Sequence, residues 1–303
     1  MTYDFTSIMD RRGHDAMAVD SVAEGLGWAP KAPKDGFDII PMWVADMNFP
    51  AVPSITRELK ERIGHPHYGY FSPSDEYYEC ILRWQREHYG AGRLERSDIG
   101  FDSGVLGGIV TALNVLCSRG DAVLVHSPTY IGFKGILANN GYRMVLSELK
   151  KDGAGIYRMD LADMEKKIAG ERIHTAIFCS PHNPTGRVWT MEELGGALEL
   201  FRKYDVTVLS DEIWADIVLG GQRHIPLQSV SEDARQRVAA FYAPTKTFNM
   251  GGIPGSYRIV YNRTLADRLE KKEIQEGLIR ACDIIDLIIA ILRGSKSRSQ
   301  VVE

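Results

Sequence analysis

The sequence lacks the features that would place it in a membrane, on a nucleic acid or in an oxidising compartment. Lysine and arginine total 36 against 40 aspartate and glutamate, a formal charge of −4, so no broad basic field invites a polyanion or an anionic bilayer. The four cysteines, Cys80, Cys117, Cys179 and Cys282, stand far apart with no CxxC spacing, which argues against a zinc site and against a disulfide-stapled secreted domain. The most apolar run, CDIIDLIIAILR, is interrupted by Asp286 and is shorter than the roughly 20 residues that span a bilayer. The opening MTYDFTSIMDRRG is polar and carries aspartates, without the basic head and apolar middle of a signal peptide. Neither GxGxxG nor GxxxxGK[ST] occurs, which removes the main support for a dinucleotide or P-loop reading. There is no internal repeat and no low-complexity segment. Small-molecule chemistry in a reducing cytoplasm is the expectation, with neither nucleic acid nor membrane as partner.

What is present is a regular alternation. With 44% hydrophobic and 25% charged residues over 303 positions, the chain can bury one large core, or one large and one smaller. Residues 1–50 are rich in proline, glycine and aromatics without a sustained period and are expected to form an N-terminal arm. PSITRELKERI and PSDEYYECILRWQREHY then carry apolar residues at helical spacing behind proline and serine or aspartate, so two helices are expected. Strand candidates follow: AVLVH (122–126), YRMVLSEL (142–149), HTAIFCS (174–180), VTVLSDE (206–212) and RVAAFYA (237–243). Helical patterns near 130–139, 160–168 and 190–204 separate them. Continuous apolar strands alternating with helices predict a mainly parallel sheet covered on both faces. In such sheets the ligand sits beyond the carboxyl ends of the strands.

Five strand ends carry polar or special residues. After DIGFD, the stretch SGVLGGIVTALNVL is a glycine turn opening a helix; it reads as a plain tight turn or as a phosphate cradle of free N–H groups. SPTY presents Tyr130 as a packing residue or a stacking ring, and PHNPTG holds Asn183 between prolines as a simple turn or a rigid hydrogen-bonding loop. DEIW puts Asp211 at the end of an apolar strand, where a carboxylate is costly unless it is partnered or the loop is exposed. Lys246 follows RVAAFYA. A free lysine, with pKa about 10.4, is uncharged in only about one molecule in 2,500 at pH 7. Desolvation at a strand end lowers that pKa and readies the amine for a carbonyl. One cofactor uses all five features together: pyridoxal phosphate has a phosphate, a flat ring, a phenolic oxygen, a pyridine nitrogen and an aldehyde.

The order SGV, PTY, HNPTG, SDE, TKT resembles fold-type I pyridoxal-phosphate enzymes of the class I/II aminotransferase group. MWVADMNFP, YGYFSP, SPHNPTGRVW, SDEIWADI and PTKTFNMGGIPGSY resemble the branch of cystathionine β-lyase-like carbon–sulfur lyases. The resemblance runs from residue 1 to about 270. It implies an aspartate-aminotransferase-like α/β large domain over residues 51–270, its mainly parallel sheet lying between helices. Residues 1–50 would form the arm and part of a small domain, and residues 271–303 an atypical or truncated C-terminal segment. The implied cofactor is pyridoxal 5′-phosphate. In that resemblance Lys246 is the catalytic Schiff-base lysine, Asp211 faces the pyridine nitrogen, Asn183 meets the phenolic oxygen and Tyr130 stacks on the ring. Gly104, Val105 and Leu106 cradle the phosphate. Tyr68 and Tyr70 resemble tyrosines that reach into a neighbouring subunit, which implies a homodimer with shared active sites. The implied reaction is β-elimination from an amino acid such as cystathionine or a cysteine conjugate, giving a thiol, pyruvate and ammonia. Transamination is the alternative, and a catalytically impaired cofactor-binding or interaction protein is a second.

The sequence also departs from the pattern. Trp214 stands where many aminotransferases carry a tyrosine that touches the phenolic oxygen, and Asn48 replaces the aspartate of WVADMDF. Beyond about Lys271 the likeness ends, where family members continue into the small domain and its carboxylate-clamping arginine. Ile284, Ile285, Ile288, Ile289, Ile291 and Leu292 suit an amphipathic helix packed over core. HPH at 65–67 lacks acidic or cysteine company and reads as a loop, so no metal is expected. Tyr77, Tyr78, Trp84 and Tyr89 read as core and interface.

Overall fold

The computed structural model describes residues 3–27, 29–67, 72–253 and 255–275. The N-terminal arm holds one short helix, α1 (Met17–Ala23), and is otherwise irregular, as its composition predicts. Helix α2 (Pro53–Ile63) opens on a proline, whose fixed φ suits the first helical turn. Helix α3 (Asp75–Tyr89) opens on Ser74, whose hydroxyl accepts the Tyr77 N–H. Of the aromatic row, Tyr77 and Trp84 are core residues, and Tyr78 and Tyr89 pack against them.

The remaining elements alternate. In order they are β1 (Ile99–Asp102), α4 (Val105–Leu116), β2 (Ala122–Ser127), α5 (Ile131–Asn139) and β3 (Arg143–Glu148). The two-residue strands β4 (Lys150–Lys151) and β5 (Tyr157–Arg158) precede α6 (Leu161–Glu171), β6 (Thr175–Cys179), α7 (Met191–Lys203) and β7 (Thr207–Asp211). Then come α8 (Glu232–Arg237), β8 (Val238–Tyr242), α9 (Pro244–Thr247), β9 (Ser256–Ile259) and α10 (Arg263–Gln275). The main sheet has the order β1-β9-β8-β7-β6-β2-β3. Every pairing from β8 across to β3 is parallel, and β9 runs antiparallel to both of its neighbours.

The strands β2, β6, β7 and β8 are buried on both sides, and their side chains alternate between two apolar layers. Leu124, Ala176, Phe178, Val208 and Ala240 join the layer under α3, α6 and α7. Val123, Val125, Ile177, Leu209 and Phe241 join the layer under α4, α5 and α10. Two strands differ from a continuous apolar run. YRMVLSEL forms the edge strand β3, largely open to solvent because it has a neighbour on one side only. Strand β9, the four residues Ser256–Ile259, was not among the expected strands because Ser256 and Arg258 leave it without an apolar run. Helix α10 continues without a break across residue 271, where the motif resemblance fades. Tyr68, Tyr70 and the apolar residues between 284 and 292 lie outside the described residues. Among the described residues, no helix is long and apolar enough to cross a membrane.

Candidate active site

The carboxyl ends of β7 and β8 bring an acid and an amine together. Asp211 closes β7 between Cys179 of β6 and Phe241 of β8, and is 5% exposed. Its Oδ1 accepts the Ile213 N–H at 3.1 Å. Lys246 lies in the single turn of α9, which begins on Pro244 directly after β8. It is half-buried, and its Nζ stands 5.9 Å from the centre of the Trp214 ring.

The other predicted residues approach from neighbouring strand ends. Gly104 is the N-cap of α4, with no side-chain cap and no heavy atom within 4 Å of where its Cβ would be. That leaves the first-turn N–H groups without a side-chain acceptor. Val105 is buried in that turn. Tyr130 is the N-cap of α5. A Cβ on Gly132 would fall 2.4 Å from Tyr130 Cε1 and 2.9 Å from Leu106 Cδ1, so this glycine lets the tyrosine ring and the α4 turn meet. Asn183 follows β6, where its N–H reaches Cys179 Sγ at 3.4 Å. With Trp214 it lines a cavity of about 270 Å³, walled also by Val188, Ile217 and Leu219.

Electrostatics link these groups. Burial raises the Asp211 carboxyl to about 6; Glu212 adds to the rise, while the Ile213 N–H and the Lys246 charge oppose it. Burial lowers the Lys246 amine, against the pull of Asp211 and Asp46. Burial also raises the Tyr130 phenol, and the Asp211 charge adds to it. Asp211 therefore faces both Lys246 and Tyr130. An acid shifted up and an amine shifted down, each acting on the other, is an arrangement found at proton-transfer sites. Beneath the Asn183 loop, burial holds His126 down to about 3 and His182 to about 4, so both are neutral packing residues near pH 7.

Several supporting residues were invisible to motif reading. Glu212, wholly buried beside Asp211, accepts from Ser210 Oγ at 2.9 Å, the Leu227 N–H at 3.1 Å and Tyr242 Oη at 2.6 Å, and lies 2.6 Å from His224 Nε2. These bonds fix the segment that carries Trp214. Asp216 accepts from Trp84 Nε1 at 3.2 Å, from Thr247 Oγ1 at 2.8 Å and from Tyr89 Oη, which ties α3 to the residue after Lys246. Asn249, at φ 55°, accepts the Met47 N–H at 2.8 Å and donates to the carbonyls of Met47 and Phe49. The arm motif MWVADMNFP is thereby stitched to the turn beyond Lys246. Within that motif Arg11 bridges Asp46 at 2.9 Å and Asn48 at 2.6 Å, so the unusual Asn48 has a partner. These pairs are distant in sequence, and no local period could have revealed them.

The chain is similar to known proteins over most of its length. The profile of the class I and II aminotransferases matches residues 38–273. The chain is 36% identical over 244 residues to cystathionine beta-lyase PatB of Bacillus subtilis, covering 80% of this chain and 61% of that protein. It is 30% identical over 267 residues to protein MalY of Escherichia coli, covering 88% and 65%. The PLP-bound C-S lyase of Staphylococcus hominis superposes with a TM-score of 0.85 at 31% identity, over 97% of this chain and 71% of that one. The chain thus spans 61% to 65% of the length of these curated relatives. With the profile covering most of its length and the α/β fold shared throughout, the chain belongs to the class I and II aminotransferase family.

Proposed function

We propose that the protein is a pyridoxal 5′-phosphate-dependent carbon–sulfur lyase that eliminates the thiol from Cβ of a sulfur amino acid. Cystathionine and cysteine conjugates are the substrate class, and pyruvate and ammonia are the further products. The observation that carries this reading is the Asp211–Lys246 pair at adjacent strand ends, in a chain whose relatives include a cystathionine beta-lyase.

The donor set suits the cofactor. Gly104, Val105 and Leu106 present an uncapped helix N-terminus to a phosphate. Tyr130 offers a ring, Asn183 an amide and Asp211 a buried acid. Bound there, pyridoxal phosphate supplies an aldehyde that captures amines and a ring that accepts electrons from the substrate Cα. Asp211 is placed to hold a proton on the pyridine nitrogen. Lys246 would hold the aldehyde carbon of the bound cofactor. Its amine, whose proton affinity burial lowers, would be the base for the substrate Cα proton. Trp214 lines the Asn183 side of the site. Tyr70 is assigned to the site of a second copy, so a homodimer with shared sites belongs to this reading. A reducing cytoplasm suits the free thiols of Cys80, Cys117 and Cys179.

Borohydride treatment of the purified protein, followed by mass mapping, tests the cofactor assignment. A label on the peptide that contains Lys246 supports it; an unlabelled peptide refutes it. Incubation with cystathionine in the absence of a keto acid tests the reaction. Pyruvate release supports the lyase, whereas amino transfer that requires an acceptor sinks it. Lys246→Ala abolishes turnover in either case.

A further inference from the structure

Three metal-ligating side chains converge at the opposite end of the sheet, where β2 and β6 begin. Cys117 is the C-cap of α4, Asp121 stands one residue before β2, and His174 one residue before β6. The Cys117 Sγ, an Asp121 carboxylate oxygen and a His174 ring nitrogen all lie within 4.8 Å of one another. His174 Nε2 is 3.7 Å from Asp121 Oδ2 and 3.2 Å from the Leu116 carbonyl. Those separations fit a coordination shell, because tetrahedral zinc with bonds of about 2.1 Å holds its donors about 3.4 Å apart.

Two further observations favour a cation here. Leu116 ends α4, so its carbonyl is one of the four that a helix C-terminus leaves without an intrahelical donor. The Thr175 hydroxyl is wholly buried, makes no other hydrogen bond among the described residues, and faces the Cys117 thiol. That is the position of an outer partner that donates to a metal-bound sulfur. Asp121 Oδ2 accepts the Ser118 N–H at 2.8 Å, which orients the carboxylate and leaves lone pairs for an ion.

We propose that Cys117, Asp121 and His174, with the Leu116 carbonyl, form a binding site for a zinc-class divalent cation. The donor set selects the metal: thiolate and imidazole with two oxygens suit zinc, whereas magnesium and calcium take oxygen alone. Binding releases the thiol proton to solvent and ties the end of α4 to the starts of β2 and β6. The site is independent of the lyase reading, since none of its residues belongs to the candidate active site. The cysteine spacing argued against zinc because it registers local motifs, and this cluster is assembled by the sheet.

Cobalt(II) is the probe. Titrated into the full chain, it produces a thiolate-to-metal charge-transfer band and intense tetrahedral d–d bands that saturate at one equivalent and bleach on addition of zinc. Cys117→Ser abolishes the charge-transfer band, and His174→Ala weakens cobalt binding by at least about tenfold. Both positions are solvent-accessible, and matched circular dichroism spectra confirm that the variants fold. Absence of the charge-transfer band in the parent protein, its survival in Cys117→Ser, or unchanged affinity in His174→Ala overturns the proposal.

Discussion

Replacing Arg258 by methionine should bring the protein close to unfolding. Arg258 sits in the middle of β9, 4% exposed, where its Nη1 donates to Asp102 Oδ1 at 2.8 Å, to the Phe101 carbonyl at 3.0 Å and to Glu273 Oε1. Two glycines make the space. A Cβ on Gly100 would fall 2.4 Å from the guanidinium carbon, and one on Gly108 would fall 2.6 Å from the Asp102 carboxyl carbon. Burial raises both carboxyls, and the Arg258 charge is what opposes it. Among the described residues Asp102 Oδ2 has no hydrogen-bond donor. Without the guanidinium, two acids face each other in a low-dielectric interior, a change that costs about 3–5 kcal/mol. Folded domains hold only about 5–15 kcal/mol in total. Urea denaturation at pH 7 measures the loss, which shrinks as the pH falls because each carboxyl can then take a proton. A triple variant, Arg258→Met with Asp102→Asn and Glu273→Gln, should recover most of it, since the penalty comes from uncompensated charge. A loss under about 1 kcal/mol in the single variant, or a triple variant as unstable as the single, would refute the reasoning.

Three more outcomes follow from the site. The folded pKa of Asp211, about 6, lies above its ordinary 3.8, so the folded state binds that proton more tightly than the unfolded chain does. The resulting stability is fully present below about pH 4 and is lost as the pH rises through 6. A displacement of about two pH units corresponds to about 3 kcal/mol. Cofactor-free Asp211→Asn should therefore gain on the parent protein by up to that amount between pH 4 and 7, and a difference flat with pH contradicts it. Gly132→Ala puts a methyl 2.4 Å from Tyr130 Cε1 and should cost about 1–3 kcal/mol by overpacking. In a Tyr130→Ala background the added methyl should cost less, since only the 2.9 Å approach to Leu106 Cδ1 remains, which thermal unfolding can check. Asn249→Gly keeps the backbone conformation but loses three bonds to the arm; limited proteolysis should then cut within residues 43–50 at a rate at least several-fold higher, with the sheet intact.

The central sheet was legible because its strands are long apolar runs buried on both faces, and a continuous run needs no partner to be recognised. Asp211, Lys246, Asn183 and Tyr130 were legible for a related reason: each follows such a run, and polar residues there stand out. What stayed hidden is whatever depends on pairing across the chain. Arg258 broke the pattern of β9 because its charge is neutralised by Asp102 and Glu273, contributed by β1 and α10. Glu212 looked like an ordinary neighbour of Asp211, although its partners come from β8 and from residues 224–227. Asn249 and the arm meet across 202 residues. Strand β3 was legible as a strand but not as an edge, because edge position depends on which strands pair.

Asp211 and Lys246 are pushed toward each other in proton affinity by the same cause. Burial disfavours the charged form of each, raising the acid and lowering the amine, and in both it is the largest influence. Their mutual attraction works against it and does not win. A ligand that offers Asp211 a cationic ring nitrogen and takes the amine of Lys246 into a covalent bond relieves both penalties at once, because the acid gains a closer partner and the buried ammonium disappears. The free energy held in two unfavourably buried groups then appears as affinity for that ligand. Asp211→Asn, which removes one penalty beforehand, should accordingly weaken cofactor binding while stabilising the cofactor-free fold, and a variant that did both in the same direction would contradict this account.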